Sequence, residues 1–240
     1  MKEQRKLNKG GKMLLLFTLV ISSIFLLRPF TVKADVNVNI NKETQIVTDL
    51  IGQYSINYTG DANFFGFYGY YENNNYNEMV KDTDFKATVD TIGKDKIVNS
   101  SIASLKKTDG ATQIEAAYLV WETSVQGKNN TDLVKKAANK AVYFAGSTDK
   151  GAFTKKVNAS YAAVDMREPH LGTKEYTFSC MYVDVTSVVQ KYGYGKYGVA
   201  NIPYAASMKT SNTDKGTHAG ESSSAWQLIV IEKNSKANVR

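Results

Sequence analysis

The sequence predicts an all-β protein, a β-sandwich or jelly-roll-like domain with one short helix at about residues 184–192. Three observations predict this class. Short runs of β-branched and aromatic residues recur along the chain. Turn dipeptides such as Asp109-Gly110 separate these runs. One segment, "DVTSVVQKYG", combines a capping residue, helical apolar spacing and a terminal glycine.

The first strand candidates precede residue 111. Residues 35–43 predict an edge strand or a loose start, and residues 45–60 alternate partially between polar and apolar. Two further strands are predicted at 84–93 and 96–110, because both segments are rich in β-branched residues.

Residues 61–79 are unusually dense in aromatic residues and also hold an asparagine triplet. One interpretation is an exposed aromatic loop that contacts a protein or a glycan. The other is a strand whose rings cover the core, followed by a turn. The candidate ligand contacts are Phe64, Phe65, Phe67, Tyr68, Tyr70, Tyr71 and Tyr76.

Strong strands are predicted in the second half of the chain. Residues 112–123 are apolar on both faces toward their end, which is typical of a central strand. Residues 128–146 are ambiguous between helix and strand, whereas 175–185 and 224–234 predict strands. Trp121 and Trp226 lie among apolar neighbours in two of these strands, so we expect both indoles to be largely buried.

The predicted helix has clear start and stop signals. Asp184 can act as the N-cap, since its carboxylate can accept a backbone N–H two or three residues later. Gly193 is placed to end the helix in a left-handed conformation, and Gly195 lets the chain re-enter a strand. The apolar face expected to plug one end of the sandwich consists of Val185, Val188 and Val189.

Residues 1–34 have the layout of a secretory signal peptide. A basic stretch precedes an apolar run from Met13 to Leu27, and Ala34 ends a suitable cleavage site. We expect cleavage before Asp35, leaving residues 35–240 as a single domain; the alternative is an uncleaved membrane anchor. The predicted localisation is therefore secreted or extracellular, and associated with the cell surface.

The charge is concentrated in this leader. Residues 1–34 carry a net charge of +6, so the other 206 residues contribute only +1 to the total of +7. A nucleic-acid partner is therefore not predicted, and neither is a membrane partner after cleavage. No zinc-ligand spacing, P-loop or nucleophile elbow occurs in the sequence, so no cofactor or metal is predicted.

Cys180 is the only cysteine, which excludes an internal disulfide and suits an exported protein of a Gram-positive bacterium. An enzymatic alternative is a sortase-like cysteine transpeptidase with Cys180 and a histidine such as His170. Such an enzyme needs cationic groups that lower the thiol pKa. The residues after Cys180 are aromatic, apolar and acidic instead, so the thiol is expected to be a small buried hydrophobe.

Segments 98–123, 182–203 and 225–234 together resemble the N-terminal β-rich region of Gram-positive cell-surface adhesin-like proteins, which are wall-anchored and carry isopeptide-forming or repeated domains downstream. Ala225 departs from the family's glycine, and Ile231-Glu232 departs from its Val-Tyr ending. The matching structural motif includes Trp121, Asp184, Thr186, Gly193, Gly195 and Trp226.

This resemblance implies a secreted or surface-associated, non-enzymatic β-sandwich that acts in attachment or architecture. Its partner would be a host or cell-surface protein or a glycan, and no catalytic residue carries over. A carbohydrate-binding module that uses the aromatic segment 64–76 is a further alternative. The family's chains continue past this strand, so residues 35–240 are expected to be a truncated frame, a short secreted relative or a piece of a longer protein.

Family members often contain a lysine isopeptide bond, which needs a buried lysine amine. Most lysines of this chain lie in polar or turn-like stretches, and Lys86 is the one candidate for the interior. We therefore predict that this region contains no isopeptide bond.

Overall fold

The structure is a computed structural model that describes residues 38–40, 52–66, 74–126, 137–167, 176–203 and 222–237. All of these residues except Gly52 belong to one compact unit. The described part is mostly β, which confirms the predicted all-β, sandwich-like class.

Eleven strands are described, together with three short α-helices and two single 3₁₀ turns. The strands are β1 Val38–Ile40, β2 Tyr54–Gly66, β3 Asn74–Asn75, β4 Ser100–Leu105, β5 Ala111–Gln126, β6 Val142–Thr148, β7 Gly151–Val157, β8 Tyr161–Arg167, β9 Tyr176–Asp184, β10 Gly195–Ala200 and β11 Ser222–Asn234. The helices are α1 Glu78–Lys81, α2 Lys86–Ile92 and α3 Thr186–Tyr192, and the 3₁₀ turns are Thr83–Phe85 and Lys94–Lys96.

The strands form two sheets. The large sheet has seven strands in the order β1-β8-β9-β5-β11-β2-β3, and the small sheet has four in the order β4-β10-β6-β7. Neighbouring strands are antiparallel except β1 and β8, which are parallel. The long strands β5 and β11 lie at the centre of the large sheet, as the apolar pattern of residues 112–123 predicts.

The main core lies between the two sheets. The large sheet contributes Leu119, Trp121, Met181, Trp226, Leu228 and Val230, and the small sheet contributes Leu105, Val142, Phe144, Phe153, Tyr197 and Val199. The aromatic rings of Phe144, Phe153 and Tyr197 pack against one another with centroids 5.2–6.0 Å apart. This continuous apolar layer stabilises the sandwich, because burial of each large side chain contributes about 1.5–3 kcal/mol.

The other face of the small sheet is covered by the helical segment 78–97. Met79, Phe85 and Ile92 of this segment form a second core with Ala145 and Ala200 of the sheet. The predicted strand at 84–93 is therefore wrong, since the segment forms helix α2 instead.

The reason for this error lies in the spacing of the residues. Phe85, Thr88, Val89 and Ile92 follow the i, i+3, i+4, i+7 pattern of a helix face, and this pattern outweighs the weak strand propensity of β-branched residues. Helices α1 and α2 both lie in this segment, so the protein has more than the one short helix that the sequence predicts. Lys196 of β10 holds it to the sheet through salt bridges to Asp82 and Asp84, at 2.9 and 2.7 Å.

Helix α3 plugs one end of the sandwich, as predicted. Its inward face consists of Val185, Val188 and Val189, which are 2%, 7% and 0% exposed. The helix begins at Thr186, slightly later than the predicted start, and ends at Tyr192.

Candidate functional site

Helix α3 and its flanking residues Asp184, Gly193 and Gly195, which we call the α3 motif, make hydrogen bonds that connect neighbouring segments of the backbone. The carboxylate of Asp184 accepts the N–H of Thr186 at 2.8 Å, and the hydroxyl of Thr186 accepts the N–H of Ala117 on β5 at 2.9 Å. Gly193 and Gly195 have φ values of 75° and 142°, as the helix-ending pattern predicts. The motif therefore joins the helix to both sheets, since Asp184 ends β9 and Gly195 begins β10.

The two tryptophans of the motif are also structural. Trp121 is 0% exposed and Trp226 is 3% exposed, which agrees with the prediction that both indoles are buried. Trp226 Nε1 donates a hydrogen bond of 2.7 Å to Ser101 Oγ on the small sheet, and Ser101 in turn donates to Asn63 on β2. Asn63 also donates to Asn99, so a buried polar network crosses between the sheets.

A buried carboxylate closes the sandwich near α3. Glu232 on β11 is 0% exposed, and its oxygens accept hydrogen bonds from Ser55, Asn57 and Tyr194 at 3.2, 3.4 and 2.7 Å. Burial and the bond to Glu232 raise the pKa of Tyr194 above its usual value. These donors come from β2 and from the connection between α3 and β10, so the carboxylate holds these segments together at this end of the sandwich.

An open groove of about 580 Å³ lies beside this carboxylate. Tyr194 forms part of its wall, and Lys107, Lys150, Asp149 and Gln190 supply polar groups of mixed charge. The sequence interpretation did not identify this groove, because its residues come from segments that are far apart along the chain.

The described aromatic candidate contacts, Phe64, Phe65 and Tyr76, lie toward the opposite end of the large sheet. Phe64 and Phe65 belong to the last residues of β2, and their backbones pair with Asn75 and Asn74. Tyr76 is 42% exposed, while its backbone is hydrogen-bonded to Asn63 and Ser100. Four further candidate contacts lie outside the described residues: Phe67, Tyr68, Tyr70 and Tyr71.

Five strands of the large sheet have their ends aligned at this place. Ser222 of β11 pairs with Gly66 of β2 and with Val125 of β5. Tyr176 of β9 pairs with Gln126 of β5 and with Arg167 of β8. This aligned set of strand ends, which we call the aromatic end, is the point from which the aromatic segment leaves β2.

Cys180 lies on β9 opposite Glu122 of β5. Burial, followed by the nearby Glu122 carboxylate, raises the pKa of the Cys180 thiol to about 12. The thiol is thus held in its protonated form, which is the opposite of what a nucleophilic cysteine requires. His170, the proposed partner of Cys180, lies outside the described residues.

In strand β2 the polar side chains face the other sheet, and the large apolar side chains face outward. Ser55, Asn57 and Thr59 point between the sheets. Asn57 donates to the carbonyl oxygen of Lys106, just after β4, at 2.6 Å, and Thr59 donates to that of Ser104 on β4 at 3.0 Å. Ile56 and Tyr58 lie on the opposite, outer face and are 50% and 67% exposed. The alternation of polar and apolar residues in "YSINYT" is visible in the sequence. By that pattern alone, Tyr54, Ile56 and Tyr58 would ordinarily be assigned to the core.

Among the described residues, no group of three or more histidine, cysteine, aspartate or glutamate side chains could hold a metal ion. No helix in the described part is long and apolar enough to cross a membrane.

The chain was compared with protein-family models, with curated proteins and with solved structures. No family model, curated protein or solved structure matches it.

Proposed function

We propose that this chain is the exported β-sandwich of an adhesin-like, non-enzymatic surface protein that binds a host or cell-surface protein or a glycan. The observation that carries the proposal is the aromatic end. A scaffold with a double core and cross-sheet hydrogen bonds presents one aligned set of strand ends, and an aromatic segment leaves from it. Rigid β-scaffolds that carry binding residues at one end are a common solution for recognition.

The environment of Cys180 favours this proposal over the sortase-like alternative. A transpeptidase needs a thiolate at neutral pH, whereas a thiol with a pKa of about 12 remains protonated. Glu122, the ionisable group opposite Cys180, is acidic, and its own pKa is raised by burial. This pair lacks the cationic partner that would activate the sulfur.

Binding assays on immobilised extracellular-matrix proteins, cell-wall material and glycans test the proposal. The wild-type chain is compared with a variant in which Phe67, Tyr68, Tyr70 and Tyr71 are changed to serine. We expect the wild type to bind at least one surface and the variant to lose that binding while its thermal unfolding is unchanged. Equal binding by both chains would contradict the role of the aromatic end.

The carbohydrate-binding alternative is separated by the same assay. Binding confined to the glycans would support it, and binding confined to proteins would exclude it. Tyr76→Ser serves as a second variant, because its ring is exposed in the described part of the aromatic segment.

A further inference from the structure

A second surface, on the outer face of the large sheet, has the features of a binding site. A shallow cavity of about 310 Å³ lies over β2 and β11, and its lining residues are Tyr58, Thr59, Gly60, Trp226 and Gln227. Tyr58 is 67% exposed, and Gly60 and Gln227 pair directly across the two strands. The cavity is separate from the aromatic end, because Tyr58 lies eight residues before Gly66 along β2, about 25 Å away.

The floor of this cavity is bare backbone. A Cβ atom at Gly60 would lie 2.1 Å from the carbonyl oxygen of Trp226, so no side chain fits there. The indole of Trp226 is buried and bonded to Ser101 on the other sheet, so only its backbone can line the cavity. A flat floor of backbone therefore lies beside the ring of Tyr58 and the side-chain amide of Gln227.

Tyr58 is 67% exposed although it lies on a strand of the large sheet. Its neighbours Asn57 and Thr59 occupy the inner face and bond to Lys106 and Ser104, so the alternation of β2 places Ile56 and Tyr58 outward. A strand that places amide and hydroxyl groups inward and large apolar groups outward gives up hydrophobic burial. Exposed apolar side chains on one face of a strand leave that face open to contact with a ligand.

We propose that this cavity binds a neutral sugar ring, which stacks its C–H face on Tyr58 and bonds its hydroxyl groups to the Gln227 side-chain amide. Tyrosine presents a flat apolar ring with a polar tip, and a few polar groups beside such a ring fix a ligand's orientation. No lining residue is charged, so the cavity complements a neutral ligand better than an anionic or cationic one. This site lies beyond the proposed function, since it does not use the aromatic end.

Titration calorimetry of the full chain with neutral hexasaccharides tests the proposal. The probes are the β-1,4-linked hexamers of glucose, xylose, mannose and N-acetylglucosamine, with an anionic galacturonate hexamer as the comparison. We expect at least one neutral hexamer to bind and the galacturonate hexamer not to bind. The variant Tyr58→Ala should weaken binding about tenfold or more, and Gln227→Ala should weaken it less.

Two variants keep the result interpretable. Tyr58→Phe keeps the ring and should retain binding, and Ile56→Ala removes an exposed apolar side chain that does not line the cavity, so it should bind like the wild type. The proposal is overturned if no neutral hexamer binds, if Ile56→Ala loses affinity as much as Tyr58→Ala, or if the galacturonate hexamer binds best. Sedimentation that shows a dimer dissociated by Tyr58→Ala, without sugar binding, would overturn it in favour of a second copy of the chain.

Discussion

Trp121 and Trp226 lie opposite each other on neighbouring strands, yet their indole nitrogens differ in hydrogen bonding. Trp226 Nε1 donates to Ser101, whereas Trp121 Nε1 has no hydrogen-bond partner among the described residues. The sequence predicted burial of both indoles from their apolar neighbours. It could not predict the hydrogen bond, because Ser101 belongs to the other sheet and is distant along the chain.

Because only Trp226 makes this hydrogen bond, the same substitution at the two tryptophans should change the free energy of unfolding by different amounts. We expect Trp226→Phe to lower the free energy of unfolding by about 1 kcal/mol more than Trp121→Phe, since only the former removes a buried hydrogen bond. Replacing either by alanine should cost about 3–5 kcal/mol through cavity formation. Urea denaturation measures both effects, and equal losses for the two phenylalanine variants would contradict the role of Ser101.

The protonated state of Cys180 gives a second test at the residue level. With a thiol pKa of about 12, the fraction of thiolate at pH 8 is very small, and it increases as the pH rises toward that value. Iodoacetamide should therefore label native Cys180 about a thousandfold more slowly than an unperturbed cysteine. Mass spectrometry follows the reaction, with the urea-unfolded chain as the control; labelling of the native chain at the unfolded rate would be evidence against the structure around the thiol.

At the level of elements, the α3 motif was predictable from the sequence, whereas the buried face of strand β2 was not. Every signal in "DVTSVVQKYG" is local: the N–H bonded by Asp184, the valine face and the glycine with positive φ. The polar face of β2 bonds instead to Glu232 and to the carbonyl oxygens of Ser104 and Lys106, which lie far away in sequence. Alternation fixes which residues share a face, but distant partners decide which face is buried.

Helix α2 and strand β7 differ from their sequence interpretation for local reasons instead. The spacing of Phe85, Val89 and Ile92 fits a helix, but a strand was predicted from residue type alone. Strand β7 was not identified because its exposed positions include Lys155 and Lys156, which weaken the strand pattern. Charged residues are common on edge strands such as β7, because they discourage pairing with other chains.

Gly195 provides a test of the element that follows α3. Its φ is 142°, and an added Cβ would lie 2.6 Å from Thr148 Cα, so Gly195→Ala combines backbone strain with a clash against backbone. Gly151→Ala is the matched control, because its φ is 114° but nothing lies within 4 Å of the added Cβ. We expect the control to cost about 1–3 kcal/mol and Gly195→Ala to cost clearly more, as measured by thermal and urea unfolding. A Gly195→Ala variant that is as stable as the control would show that the β10 connection is placed differently.

For the whole molecule, the sandwich class was predictable because many short strands with turn signals leave few alternatives. The outer layer formed by residues 78–97 was not, since its apolar face packs on the far side of the small sheet. The aromatic segment 64–76, which begins at the aromatic end, was recognisable in the sequence. Its alignment with the ends of β5, β8, β9 and β11 became visible only from the strand register.

The proposed export and the absence of a crosslink are tested together by the intact mass of the chain secreted from a Gram-positive host. We expect a mature N-terminus at Asp35 and a mass without loss of ammonia or water. No lysine in the described part of the chain is buried, and Lys86, the one candidate for the interior, is exposed. A deficit of one ammonia or one water, mapped by fragmentation to a lysine, would contradict the second expectation; recovery of Met1 in the membrane fraction would contradict the first.

The central claim is that this chain binds a surface partner and does not catalyse a reaction on it. The most direct measurement applies the secreted wild-type chain and its Cys180→Ser variant to the same panel of immobilised proteins, cell-wall material and glycans, and follows both retention and any covalent product by mass spectrometry. The account predicts equal, reversible retention of both chains and no product. Formation of a product by the wild type that is absent with Cys180→Ser would contradict it and identify the chain as a cysteine transpeptidase.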